Sequence, residues 1–243
     1  MAEITVKRQF CGPPNSGNGG YVSGLMAHHI DGPATAVLRA IIPLDSALEL
    51  EGHSTAAKIS GADGGLIAEA RASDGGELPT PPAPPSLAEA TAAAGRYFAF
   101  ERRFHPICFT CGTDRQEGDG LRVFVGQIEG APKGHVAGVW TAHPDFGDAE
   151  GLARTEIVWA AIDCPGSIAW VEHQGTGGGL LGTMTGEILR RPKIGEPCIV
   201  TAWPLQQEGR KQFAGVALFT ADGELLARGH QVWISMRPRA EAA

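Results

Sequence analysis

Strand-type and helix-type hydrophobic patterns occur twice along the chain in the same order. Residues 54–73, "STAAKISGADGGLIAEARAS", read as two β-rich runs around Asp63-Gly64. Residues 213–236, "FAGVALFTADGELLARGHQVWISM", read the same way around Asp222-Gly223. An Asp-Gly pair between such runs is a hairpin signal, because glycine and aspartate tolerate the positive φ that tight turns need. Ahead of each hairpin lies a further strand-type run, "TAVLRAIIPL" (35–44) in one half and "TGEILRRPKI" (185–194) in the other. Ahead of that lies one helix-type segment, "GGYVSGLMAHHI" (19–30) and "TEIVWAAIDCPGSIAWVEH" (155–173). Each half therefore predicts one helix against an antiparallel sheet, an α+β solution in which the sheet buries one face on the helix.

Between the halves, "DGGELPTPPAPPSL" (74–87) is rich in proline and glycine and reads as extended linker. Ala-rich "LAEATAAAG" behind it reads as a short helix. The expected division is residues 1–80, a linker over 81–100, and residues 101–243. Two such sheets side by side would join edge to edge and cover edges otherwise left unpaired.

Composition narrows the classes. With 43% hydrophobic residues in 243, the chain can build a sizeable core. No apolar run is long enough to span a bilayer, and "MAEITVKRQF" has no signal-type core, so a soluble cytoplasmic protein is expected, with no membrane partner. A net charge of −7 with scattered basic residues argues against nucleic acid. Five cysteines, Cys11, Cys108, Cys111, Cys164 and Cys198, read as reduced thiols. Cys108 and Cys111 form a C-x-x-C in "CFTCG", but a zinc site needs a second pair or suitably spaced histidines. His105 is near and no second C-x-x-C follows, so a tight turn with small buried thiols is the simpler reading, and no metal is expected. His28 and His29 are adjacent on a helix and face different ways, which suits packing rather than catalysis.

Three motifs carry a resemblance. "FCGPPNSGNGGYVSG" resembles the segment leading into the helix of hotdog thioesterases, where a Gly-Gly opens the helix. "HPICFTCGTDRQEGDGLRV" is similar to the N-terminal signature of phenylacetyl-CoA-type thioesterases, and "VWAAIDCPGSIAW" resembles their helix with the catalytic aspartate. Their order and the repeat give a resemblance to the double-hotdog acyl-CoA thioesterases over nearly the whole chain outside the linker. That resemblance implies a composite site between the halves.

Alignment of the two helices sharpens it. Asn18-Gly19-Gly20 begins nine residues before Ala27, and Arg154-Thr155-Glu156 begins nine before Asp163. One half keeps the glycines and has alanine where the acid belongs; the other keeps the acid and lacks the glycines. The resemblance then assigns Asp163 as general base or nucleophile. Gln231 and Thr183, with Thr185 as its competitor, would hold a water as in type II acyl-CoA thioesterases. Asn18, which stands where the family has histidine, would with Gly19, Gly20 and Tyr21 present backbone N–H groups to the thioester oxygen. Trp159 and Trp170, on the helix of Asp163, would line the acyl slot, and Arg190 or Arg191 would meet CoA phosphates. Pro165 is expected to bend or end the helix just past Asp163.

Each residue also has a plainer role. Gly19-Gly20 could be a loop capped by Asn18, Asp163 could pair with an arginine, Gln231 could face solvent, and the tryptophans could be core. Three functions remain to be told apart. The first is hydrolysis of acyl-CoA or another acyl thioester, a hydrolase without cofactor in lipid metabolism. The second is hydration or dehydration of an enoyl thioester, and the third is binding of acyl-CoA without turnover. A homo-oligomer is expected, since double hotdogs pack on one another.

Overall fold

The computed structural model describes residues 1–175 and 178–236. Strands β1 (Ala2–Thr5), β2 (Ala34–Leu38), β3 (Ala47–His53), β4 (Ala56–Gly61) and β5 (Leu66–Ala72) come from the first half, with helix α1 (Gly19–Ala27). Helix α2 (Leu87–Ala94) follows the linker. The second half supplies β6 (Gly126–Gln127), β7 (Val136–Thr141), helices α3 (Thr155–Ala161) and α4 (Cys164–Gln174), and strands β8 (Gly179–Ile188), β9 (Pro197–Glu208), β10 (Lys211–Thr220) and β11 (Leu225–Ser235). All the strands form one antiparallel sheet of order β1-β3-β4-β5-β2-β8-β11-β10-β9-β7-β6.

The repeat is visible in the register. Hairpin β4–β5 has a bulge between Ile59 and Ser60, and β10–β11 has one between Leu218 and Phe219, at the same place ahead of the Asp63 and Asp222 turns. The halves meet where β2 pairs with β8: Ala34 opposite Gly186, Thr35 opposite Thr185, Ala36 opposite Met184. The repeat exchanges the pairs Ala34–Gly186 and Ala36–Met184 about the Thr35–Thr185 pair, whose hydroxyls lie 2.9 Å apart. An approximate two-fold axis runs through that pair.

Strand side chains alternate between two apolar layers, as the period of two requires. On one face Ala36, Met184, Val200, Val216 and Leu218 pack with α1, α3 and α4 residues such as Val22, Met26, Ile157 and Ile168. On the other, Ala137, Ile199, Ala217 and Phe219 receive Ala90 and Ala93 of α2. Helix α2 starts with a full capping box, Ser86 with Glu89, so the Ala-rich segment is a helix laid on the outer face of the second half. Leu78 of the linker is buried and Glu77 reaches the Thr185 hydroxyl at 3.4 Å. Among the described residues no helix is long and apolar enough to cross a membrane.

Candidate active site

Helix α1 starts at Asn18, whose Oδ1 accepts the Tyr21 N–H at 2.8 Å. This is the ordinary way to satisfy an orphan amide at a helix start. Two glycines then let α1 approach α3 closely. A Cβ on Gly20 would lie 2.5 Å from Asp163 Cβ and 2.6 Å from the Trp159 carbonyl oxygen. A Cβ on Gly24, one turn later, would collide with Glu156 Cα.

The second-half helix breaks at the acid. α3 ends at Ala161, Asp163 is the N-cap of α4 with φ −76° and ψ −79°, and Pro165 stands in the first turn. Proline lacks an N–H and so cannot continue the ladder. The break turns the Gly166 N–H onto Asp163 O at 3.3 Å, and Gln231 of β11 binds both that carbonyl and Ile162 O. Its Nε2 donates to Ile162 O at 2.7 Å and Asp163 O at 3.0 Å, while its Oε1 accepts Trp233 Nε1–H at 2.8 Å. A Cβ on Gly166 would overlap Gln231 Oε1, so that glycine makes room for the amide.

Asp163 is 2% exposed. Its Oδ2 accepts the Gly20 N–H at 3.0 Å, which joins the two halves across the helix pair. Its Oδ1 is buried without a hydrogen-bond partner. Burial pushes the carboxyl up to about 7, the Gly20 amide pulls it down, a neighbouring Cys108 raises it and the Asn18 amide lowers it. A carboxyl at this value is in part ionised at neutral pH and can take a proton from water.

The "CFTCG" turn closes the site from the other side. Asn18 Nδ2 donates to Thr110 Oγ1 at 3.2 Å, and Thr110 donates to Ala160 O at 2.8 Å. Cys108 Sγ lies 3.6 Å from Cys164 Sγ and 4.0 Å from Asn18 Nδ2. The thiols of Cys111 and Cys164 hold the Cys108 thiol well below its usual range. Sequence reasoning missed Thr110 and Trp233. The first is enclosed by the quoted C-x-x-C and the second stands two positions past Gln231 on the same strand face, which is the signal that would have found them.

Several expected roles change. Gly20 N–H is taken by Asp163 and Tyr21 N–H by Asn18, so Gly19 is the one amide of the three that no side chain of the site engages. Gln231 grips the main chain of Asp163, not its carboxylate. Thr183 and Thr185 fall on the face opposite Met184, away from Asp163, because one residue of offset on a strand reverses the side. Thr185 bonds Thr35 there. Trp170 packs toward β10, donating to Phe213 O at 2.9 Å. Trp159 lies beneath Gly186 and lines a cavity of about 350 Å³ with Ala27, Thr155 and Arg190, at the end of the helix pair where Ala27 stands in the place of Asp163. Arg190 is bound by Glu196 and Glu224, and Arg191 by Asp148 and Glu150, so neither presents a free charge to a phosphate.

No protein-family model matches the sequence, and no curated protein does. Solved structures do resemble the whole chain. A conserved protein of unknown function with a hot dog fold from Alicyclobacillus acidocaldarius superposes with a TM-score of 0.64 at 12% identity, covering 97% of this chain and 93% of its own. The fold is a double hotdog. A candidate thioesterase from Novosphingobium aromaticivorans matches at TM-score 0.62 and 17% identity, over 97% and 95% of the two chains. A TesB protein of Mycobacterium avium subspecies paratuberculosis matches at 0.62 and 14%, over 97% and 92%. In this double hotdog α1 packs on α3, and the Gly20–Asp163 hydrogen bond lies where they meet.

Proposed function

We propose that the chain hydrolyses acyl thioesters, with an acyl-CoA giving free acid and CoA, at the junction of Gly19–Gly20 and Asp163. The observation that carries this is the divided carboxylate: Oδ2 is fixed by the Gly20 amide of the other half, and Oδ1 is buried with no hydrogen-bond partner within 3.5 Å. An unpaired buried carboxylate oxygen is costly unless it has a task. Oδ1 would accept a proton from the attacking water, whose oxygen then adds to the thioester carbon. Gly19 N–H, at the positive end of α1, would receive the carbonyl oxygen as charge develops. The thiolate of CoA leaves and takes up the proton.

The leucine ends stacked over Gly19, Leu38 Cδ1 and Leu181 Cδ2, stand 2.9 and 3.0 Å from where its Cβ would be. They are the groups a thioester would push aside to reach the amide. Gln231, Thr110 and Asn18 then act as positioning residues for the broken helix and the cap. The resemblance of fold to proteins named as thioesterases agrees with this reading.

The test is release of free thiol from acyl-CoAs of several chain lengths by the purified protein. Release that falls at least a hundredfold in Asp163→Asn supports the site, in keeping with the roughly 10²–10⁴-fold worth of a general base. Undiminished release in that variant removes Asp163 from the mechanism. Enoyl-CoA hydration without thiol release would replace hydrolysis by hydration, and stoichiometric acyl-CoA binding with neither signal would make the chain a binding protein.

A further inference from the structure

Cys108, Cys111 and Cys164 have no part in the hydrolysis above, yet their three Sγ atoms all lie within 4.8 Å of one another. Cys108 Sγ and Cys164 Sγ stand 3.6 Å apart. A disulfide would bring two sulfurs to about 2.05 Å. Three thiolates around one zinc at about 2.3 Å would stand roughly 3.8 Å apart, the edge of a tetrahedron of that radius. The observed spacing fits the second arrangement.

The local backbone fits it too. Cys108-Phe109-Thr110-Cys111-Gly112 forms a tight turn in which Gly112 N–H donates to Cys108 O at 2.9 Å. A Cβ on Gly112 would strike the carbonyl oxygens of Cys108 and Pro106, at 2.5 and 2.6 Å. The Asn18 side-chain amide approaches Cys108 Sγ at 4.0 Å. N–H groups directed at a sulfur stabilise its anion and orient it as a ligand. The third sulfur arrives from the first residue of α4, brought there by the helix break. Cys108 and Cys111 are buried and Cys164 is half-buried.

We propose that Cys108, Cys111 and Cys164 form a three-thiolate site for a thiophilic d10 cation, zinc(II) being the ion of choice. Binding releases the thiol protons to solvent and forms three metal–sulfur bonds, with no electron transferred. Three protein ligands leave one position of a tetrahedron open, a count shared with zinc sites that retain a water. The ion would tie the "CFTCG" turn to the residue after Asp163. This inference does not depend on thioester hydrolysis, and its test uses no substrate.

Reduced, chelator-treated full-length protein would be titrated with cobalt(II) and zinc(II) salts. One equivalent of cobalt should give intense sulfur-to-cobalt charge-transfer absorbance, displaced by zinc. Zinc should also protect three of the five thiols from alkylation in the natural sequence, read by mass spectrometry, with Cys108, Cys111 and Cys164 as the protected set. Cys164→Ser should reduce zinc affinity at least a hundredfold, and Cys198→Ser should leave it unchanged. Failure of the natural protein to take up one equivalent, protection of a different set, or full affinity in a folded Cys164→Ser variant would overturn the site. So would a Cys108–Cys164 disulfide that forms in preference to zinc uptake under mild reductant.

Discussion

At the scale of single residues, Asp163 is held in a place that costs stability. A carboxyl of about 7 in the folded chain, against about 3.9 when unfolded, means the folded state binds the proton more tightly. Its contribution is greatest below about pH 4, falls as pH rises through the window from about 4 to about 7, and is lost above it. The gap corresponds to on the order of 4 kcal/mol. Asp163→Asn keeps an acceptor for Gly20 N–H and cannot ionise. Its melting temperature relative to the natural chain, both chelator-treated, should therefore rise between pH 5 and pH 8. A difference that stays flat over that range would show that the carboxyl does not titrate there. On the proposed mechanism, in which the ionised form is the base, the rate of thiol release should climb with pH through about 7 and then level.

Gln231 makes a second prediction at this scale. Gln231→Met keeps the volume but strands Ile162 O and Trp233 Nε1–H, while Asp163 O keeps only the Gly166 N–H at 3.3 Å. Each buried group left unpaired costs about 1–3 kcal/mol. Denaturant unfolding should show a loss of several kcal/mol, with weaker thiol release following from a displaced Asp163. A stable variant with lowered activity alone would instead place Gln231 in contact with substrate. The glutamine was legible in the sequence because its repeat partner Ala72 is blank. Its partner atom was not, since the broken helix that exposes those carbonyls is a tertiary arrangement.

At the scale of elements, the glycines of α1 serve packing first. Gly20 and Gly24 lie one turn apart and both face α3, where added carbon meets backbone rather than a flexible side-chain tip. Gly24→Ala should force the helices apart and cost roughly 1–3 kcal/mol or more, the range for overpacking. A melting temperature within a degree of the natural chain would show that the helices sit farther apart than described. The sequence pattern located both hairpins and both helices by their turns and spacing. It put β8 six residues late, starting at Thr185 rather than Gly179, and passed over β3 and β9. Those strands lack the Asp-Gly punctuation that marks the other runs. Thr183, expected to hold a water, lies on the face away from Asp163 for a related reason: on a strand a one-residue choice selects the face, and only pairing to β2 and β11 fixes it.

At the scale of the whole molecule, β2–β8 pairing and α1–α3 packing fuse two sheets into one body. The core on the helix face runs continuously from Val6 and Leu48 of the first half to Val200 and Leu226 of the second. Calorimetry of the metal-free chain should therefore show a single cooperative transition, with equal calorimetric and van't Hoff enthalpies. Two resolved transitions would mean that the halves hold together only through the linker.

The axis through Thr35 and Thr185 has a last consequence. Two identical subunits on such an axis must carry every substitution twice, so an aspartate gained at one end of the helix pair is gained at the other. This chain writes the two ends separately. One end could spend its interior on a buried acid, while Ala27, Trp159 and the ion-paired Glu156 took the mirror position. Asymmetry of this kind needs two different texts for one shape, and a single polypeptide is the simplest way to keep unlike partners always together.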